Sequence, residues 1–324
     1  MPHRPFMLGI AGDSGVGKTT ISSGIALLLG AERTTQICVD DYHKYDRKQR
    51  AALGITPLNP ECNYIDIMEQ HVRLLAQGEP ILKPVYNHST GTFDPPVYIP
   101  APRAVEVEGR LIPRVVILEG LLTLYTPELR SRYHLKVYLD PEEELRREWK
   151  IKRDVAKRGY TPEQVVADIE RRMPDSQAFI WPQKEHADIV VRFYRPLGYD
   201  PENPSTLNVR IALRHTLPKL DLTEVLHLSD EDEAPIRLEA RKDADILDIR
   251  GNVSAEKAQA LERVIWEHLG PHAEHFNPEY IGTFWDKAGQ SYPLALTQLV
   301  IAYYLVKMRE LAIQQGVLHH GYAV

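Results

Sequence analysis

At 324 residues the chain exceeds a usual compact domain but fits one enlarged α/β unit, and its 43% hydrophobic and 26% charged residues supply a core and exclude disorder. The net charge of -6 is spread along the sequence, apart from an acidic patch at Asp230 to Glu233, and argues against a nucleic-acid surface. Two cysteines, Cys38 and Cys62, exclude a disulfide-stapled secreted scaffold and point to a reducing, cytoplasmic setting.

The opening Met1-Pro2-His3-Arg4 leads into an apolar run too short for a secretory signal, and this run reads as a first strand, Phe6 to Ala11. A Gly-rich turn follows, and then Ile21, Ile25 and Leu28 recur at helical spacing with Gly30 as the expected C-cap. The turn, Gly12-Asp13-Ser14-Gly15-Val16-Gly17-Lys18-Thr19, fits G-x-x-x-x-G-K-[ST] between a strand and a helix. Triphosphate oxygens need several donors at close range. Glycines let backbone N–H groups curl around them, and the helix N-terminus adds positive potential. Lys18 is expected to neutralise the β/γ-phosphates and the Thr19 hydroxyl to ligate Mg²⁺, with Thr20 beside them. The motif predicts nucleotide binding but does not choose a reaction.

The second strand, Gln36 to Val39, runs into Asp40-Asp41-Tyr42-His43, placing carboxylates at a strand's carboxyl end, where open α/β sheets bind ligands. Either aspartate can orient an acceptor hydroxyl and take its proton, or bind Mg²⁺; the residues alone do not separate them. A third strand, Val115 to Leu118, ends in Glu119-Gly120, a layout suited to a metal-binding or catalytic acid opposite the phosphate loop.

After a strand at Leu135 to Leu139, Asp140 is expected to cap a helix with Pro141 at its first position. Along that helix Lys150, Arg153, Asp154, Lys157 and Arg158 share one side and Leu145, Trp149 and Ala156 another. A basic face near a phosphate loop can stabilise charge on a transferring phosphoryl group. Arg158-Gly159 should end the helix, and Thr161 to Gln164 carries a capping-box pattern that opens the next, with Arg171 and Arg172 near its end. Ile189 to Phe193 is a further strand, and Tyr194 to Ser205, with three prolines and Gly198, a loop. Beyond it come strands at Asn208 to Leu213 and Ile246 to Ile249 and a helix capped by Ser254. The apolar stretch Leu294 to Val306 is too short to span a bilayer, so no membrane partner is expected.

The fold expectation is therefore α/β: a P-loop NTPase-type, doubly wound, mostly parallel sheet, with residues 1–204 as kinase core and 205–324 as a C-terminal α/β extension packed on it. The chain resembles the phosphoribulokinase and uridine kinase superfamily, and more closely its phosphoribulokinase branch from plants, cyanobacteria and archaea. The likeness rests on Gly9 to Gly15, Asp40-Asp41-Tyr42-His43, Asp46-Arg47-Lys48-Gln49-Arg50, Gly54-Ile55-Thr56, Lys83 to His88, Glu119-Gly120-Leu121, Trp149 to Asp154 and Arg158 to Thr161. The resemblance implies ATP-dependent phosphorylation of a sugar phosphate, ribulose 5-phosphate, with Asp40 as base, Glu119 near Mg²⁺, and a homodimer. It further implies that His43, Arg47, Tyr86, His88, Lys150, Arg153, Asp154, Arg158 and Arg171 bind the sugar phosphate or the transferring phosphoryl group.

Departures from the family pattern sharpen this expectation. Val16 stands where the redox-regulated members have a cysteine, so their disulfide with the residue matching Cys38 is not expected. Leu122 is similar to uridine kinases, which keeps a nucleoside kinase, and beyond it a non-catalytic nucleotide-binding protein, as alternatives.

Overall fold

A computed structural model describes residues 4–107, 110–201, 203, 206–219, 235–270, 276–283 and 290–315; the acidic patch at Asp230 to Glu233 lies outside them. Five strands run parallel side by side: β2 (Thr34–Cys38), β7 (Val115–Gly120), β1 (Phe6–Gly12), β8 (Leu135–Leu139) and β9 (Ile189–Tyr194). The sheet then continues with antiparallel β10 (Asn208–Arg214), β12 (Ala244–Ile249) and β11 (Ile236–Ala240). Because β10 pairs directly with β9, strands from either side of the expected boundary belong to one sheet. Two small ribbons lie apart from it: β3 (Ile81–Asn87) with β4 (Thr92–Ile99), and β5 (Val105–Val107) with β6 (Arg110–Ile112).

Both faces of the sheet are covered, and the period-2 geometry of β1 shows why. Phe6, Leu8 and Ile10 pack with Ile21, Ile25 and Leu28 of α1 (Lys18–Leu29), Leu261 and Ile265 of the helix Ala255–Leu269, here α7, and Leu296 and Leu299 of Tyr292–Gln314, here α8. Met7 and Ala11 face the opposite way, onto Met68 and Val72 of α3 (Ile65–Ala76) and Leu129 of α4 (Pro127–Arg132). A strand buried on both sides needs the continuous apolar run found here. No helix among the described residues is long and apolar enough to cross a membrane.

Parallel register brings the functional strand ends together. Gly12 lies opposite Leu139, Ala11 opposite Gly120, and Cys38 opposite Glu119. The second strand ends one residue earlier than expected, and Val39 opens a short 3-10 turn, Val39–Asp41, that carries both aspartates.

The helix expected from Asp140 begins later, as α5 (Glu143–Arg158), with Glu142 at its N-cap. The reason is sheet pairing: Asp140 and Glu142 still donate backbone hydrogen bonds to Val191 and Phe193 of β9. The Asp140 carboxylate instead pairs with Lys184 and Arg192. Gly159, in the left-handed region at φ 69°, ends α5 as expected, and Thr161 and Gln164 form the capping box of α6 (Pro162–Asp175). A second capping box, Asp46 with Gln49, opens α2 (Arg47–Leu53). Ala156, placed on the apolar side by periodicity, is exposed.

His134 ties the loop after α4 to β1. Its ring stacks on Phe6 at 4.5 Å, and its Nδ1 accepts the Met7 N–H at 3.0 Å. Burial, then Lys136, pushes its pKa down to about 4. The folded value lies below the unfolded one, so the stability this neutral ring contributes is complete above about pH 6.5 and is lost as pH falls toward 4. The urea midpoint should therefore drop between pH 6.5 and pH 5, and His134→Asn should flatten that slope while lowering stability at pH 7; an unchanged slope would remove His134 from the account.

Candidate active site

The phosphate loop joins β1 to α1. Gly15 (φ 90°) and Gly17 (φ 89°) occupy backbone conformations that disfavour side chains, and a Cβ on Gly15 would lie 2.8 Å from that of Lys150. Glycine is thus required both by the turn and by the close approach of α5. Lys18 donates to the carbonyls of Gly12 (2.9 Å) and Asp13 (3.0 Å) within the loop. Val16 points into the main core and does not meet a partner thiol; both cysteines are free.

Helix α5 fixes the loop from above. Arg146 donates to the Ser14 carbonyl at 3.0 Å and stands 3.8 Å from Asp13, and Arg153 donates to the Ser14 hydroxyl at 3.2 Å. Arg146 was not among the residues expected at the site, although it lies four residues before Lys150 on the same helical face.

The acidic wall separates the two aspartates. Asp41 is buried, ion-paired with Lys83, and accepts the Tyr86 N–H at 3.1 Å. Asp40 lines the cleft and accepts the Leu121 N–H at 2.7 Å; among the described residues no cation is paired with it. Gly120 makes this possible, since a Cβ there would sit 2.7 Å from Asp40 Oδ1. Glu119 accepts from the Thr19 hydroxyl at 3.1 Å, and burial, partly offset by Lys18, raises its pKa. Thr19 and Glu119 are hard oxygen donors of the kind Mg²⁺ takes, so the pair fits such an ion.

A third wall is aromatic and cationic. The Tyr86 ring meets the edges of His43 (4.8 Å) and His88 (5.0 Å), and its hydroxyl accepts from Arg50 at 2.5 Å. His43 bonds to Asn63 at 2.7 Å, and burial, then Arg50, lowers its pKa to about 4. Arg47 donates to the His88 carbonyl at 2.6 Å and faces the Tyr160 ring. Arg50 lines the same wall and was missed as a site residue, although it lies one helical turn after Arg47. Tyr86 lies within β3, one residue before its end.

Across the cleft, α5 and α6 share a network of charges. Asp154 binds Lys150 (2.7 Å), Arg153 (2.8 Å) and Arg158 (3.4 Å), and Asp168 binds Arg171 (2.6 Å) and Arg172 (2.8 Å) and lies 3.6 Å from Lys150. Burial favours a neutral Asp154, but Arg153 and Lys150 outweigh it and hold the carboxyl down at about 2. Burial and then the Arg172 cation lower Lys150 to about 8. Of the residues expected here, Lys150 is 2% exposed and lies behind the wall, while Arg153, Asp154, Arg158 and Arg171 line it. Its position on the inner side of the helix, flush against Gly15, leaves its ammonium enclosed by the two aspartates.

These walls enclose one cleft of about 1130 Å³. Its end beside Gly17 and Thr20 is apolar, formed by Trp149, Phe193, Tyr199, Leu207 and Leu294. Leu207 and Leu294 come from beyond residue 204, so the extension completes this end. Leu121 reaches the cleft, whereas Leu122 is buried in a small cluster with Leu58 and Ile180.

The family model described as Phosphoribulokinase / Uridine kinase family matches residues 7–196. A phosphoribulokinase of Synechocystis sp. is 41% identical over 209 residues, covering 64% of this chain and 60% of the relative. A chloroplastic phosphoribulokinase of Triticum aestivum is 37% identical over 58% of this chain and 48% of its own length. The match thus spans about half to three fifths of these relatives. A uridine kinase of Deinococcus deserti is 32% identical over 58% of this chain and 87% of its length. In fold, the chain is similar to the solved phosphoribulokinase from Rhodobacter spheroides, with TM-score 0.58 and 19% identity, over 84% of this chain and 99% of that one.

Arg146→Ala removes the bond to Ser14 and leaves the buried Asp13 carboxylate without its ion-pair partner, a change that costs about 3 kcal/mol in comparable pairs. Denaturant unfolding should show that loss, and calorimetric titration should show weaker ATP binding; wild-type values in both would refute the clamp.

Proposed function

The chain belongs to the phosphoribulokinase / uridine kinase family, and we propose that it transfers the γ-phosphoryl group of ATP to D-ribulose 5-phosphate, giving ribulose 1,5-bisphosphate. The observation that supports this reading is a single cleft with two regions suited to phosphate, the Gly-rich loop and the cations Arg47, Arg153, Arg158 and Arg171. One such region suffices for ATP and a neutral nucleoside; an acceptor that already carries a phosphate needs more cations. The apolar end near Trp149 and Phe193 suits the flat base of the nucleotide.

In this reading the triphosphate lies along the N–H groups of the loop, with Lys18 at its β/γ end. Thr19 and Glu119 hold Mg²⁺, which when bound neutralises phosphate charge. Asp40, fixed by one oxygen to the Leu121 N–H and free of a cation partner among the described residues, orients the acceptor hydroxyl and takes its proton as the new P–O bond forms. Asp41 is the weaker base, because the Lys83 ammonium offsets its charge and the Tyr86 N–H holds its other oxygen. Arg153 and Arg158 stabilise the equatorial oxygens as charge develops, and Asp154 and Lys150 position them. Neutral His43 and His88, both lowered by burial, offer hydrogen bonds to sugar hydroxyls without adding charge beside Asp40. Burial of Leu122 away from the cleft weakens the nucleoside-kinase alternative.

Purified protein with Mg²⁺ and ATP should release ADP rapidly with ribulose 5-phosphate and slowly with ribose 5-phosphate, uridine or no acceptor. Stimulation by uridine instead would overturn the substrate but not the family. Asp40→Asn should bind ATP within a few-fold of wild type and turn over roughly 10²- to 10⁴-fold more slowly; a near-normal rate would rule out Asp40 as the base.

A further inference from the structure

Three groups that the phosphoryl-transfer reading does not use as a set converge at the acceptor wall: the Cys38 thiol, the Asp41 carboxylate and the His88 imidazole. One ligand atom from each lies within 4.8 Å of the others. They come from separate elements, the end of β2, the 3-10 turn after it and the connection after β3. We propose that Cys38, Asp41 and His88 form a binding site for one soft divalent cation of the Zn²⁺ class, distinct from the oxygen-donor pair Thr19 and Glu119.

The donor set carries the assignment. Zn²⁺ is bound at about 2.3 Å by thiolate and about 2.0–2.2 Å by imidazole and carboxylate, so closing the set requires the ligand atoms to contract by roughly an ångström. Sulfur selects against Mg²⁺ and Ca²⁺, so the two kinds of ion sort by chemistry into two neighbouring places. Asp41 keeps Lys83 and the Tyr86 N–H while offering a further lone pair, since a carboxylate accepts about four bonds. Burial of the Cys38 thiol, the Lys83 ammonium on Asp41, and Arg153 and Arg158 beside the buried His88 oppose a cation, whereas Glu119, Asp40 and Asp41 all bear on the sulfur and favour one. On binding, the thiol proton leaves to solvent as the S–metal bond forms. Cys38 and His88 line the cleft, so the remaining coordination position opens into it. Where the acceptor is a sugar phosphate, as proposed above, the bound ion withdraws His88 from it and blocks turnover; that consequence rests on the functional reading, and binding itself does not.

Cobalt(II) is the probe, because thiolate ligation gives it a near-ultraviolet charge-transfer band. Titrating the full, reduced chain anaerobically should develop this band to one Co²⁺ per chain, and Zn²⁺ should abolish it. Cys62→Ala should retain the band and Cys38→Ala should lose it. His88→Asn should weaken binding at least by the roughly tenfold that follows loss of an outer partner, and it tests the site even where Cys38→Ala fails to fold. Absence of the band, its loss in Cys62→Ala, or unchanged affinity in His88→Asn would each overturn the proposal. The readout needs no turnover, so a failed kinase assay leaves it standing.

Discussion

The contact between helix α5 and the phosphate loop governs the rest of the site. The Cβ of Lys150 occupies the space a side chain at Gly15 would take, and Arg146 and Arg153 hold Ser14 from the same helix. So close an approach puts an ammonium group out of reach of water, and Asp154 and Asp168 offset its desolvation. An isolated buried cation would cost far more than this arrangement does. The same two carboxylates hold Arg153, Arg158, Arg171 and Arg172, so one network keeps the loop closed and spaces the cations over the cleft.

Local chemistry made much of this legible in the sequence. The strand-loop-helix order around Lys18, the apolar runs of the parallel strands and the capping box at Thr161 all depend on neighbours within a few residues. What stayed hidden depends on distant ones. Asp40 and Asp41 look alike until Lys83, 42 residues further on, is seen to occupy only the second. Lys150 shares a helical face with Arg153 and Arg158, but periodicity gives direction around an axis and not depth beneath a surface. Arg50 and Arg146 carried a readable signal, their spacing of one helical turn from residues already singled out. Asp140 failed as a cap because β9 kept its backbone in the sheet, a tertiary constraint that outweighs capping preference.

The C-terminal extension also changes meaning once seen. By composition it is an appendage after a proline-rich loop, yet its strands continue the main sheet and its side chains close the apolar end of the cleft. The lining of the cleft is therefore shared between two parts of the chain that matched the family unequally, since the family model ends at residue 196.

Gln298 gives that sharing a temporal side. It lies buried on α8 against Gly24, its amide donates to the Thr20 carbonyl at 3.3 Å, and its oxygen accepts the Gly282 N–H at 2.8 Å. The two residues of the first bond are 278 positions apart. A ribosome makes Thr20 well before it makes Gln298, at a rate of about 5–20 residues per second. For many seconds the nascent chain carries the phosphate loop without the helix that backs it, and the loop has its full support only when this distant glutamine has docked.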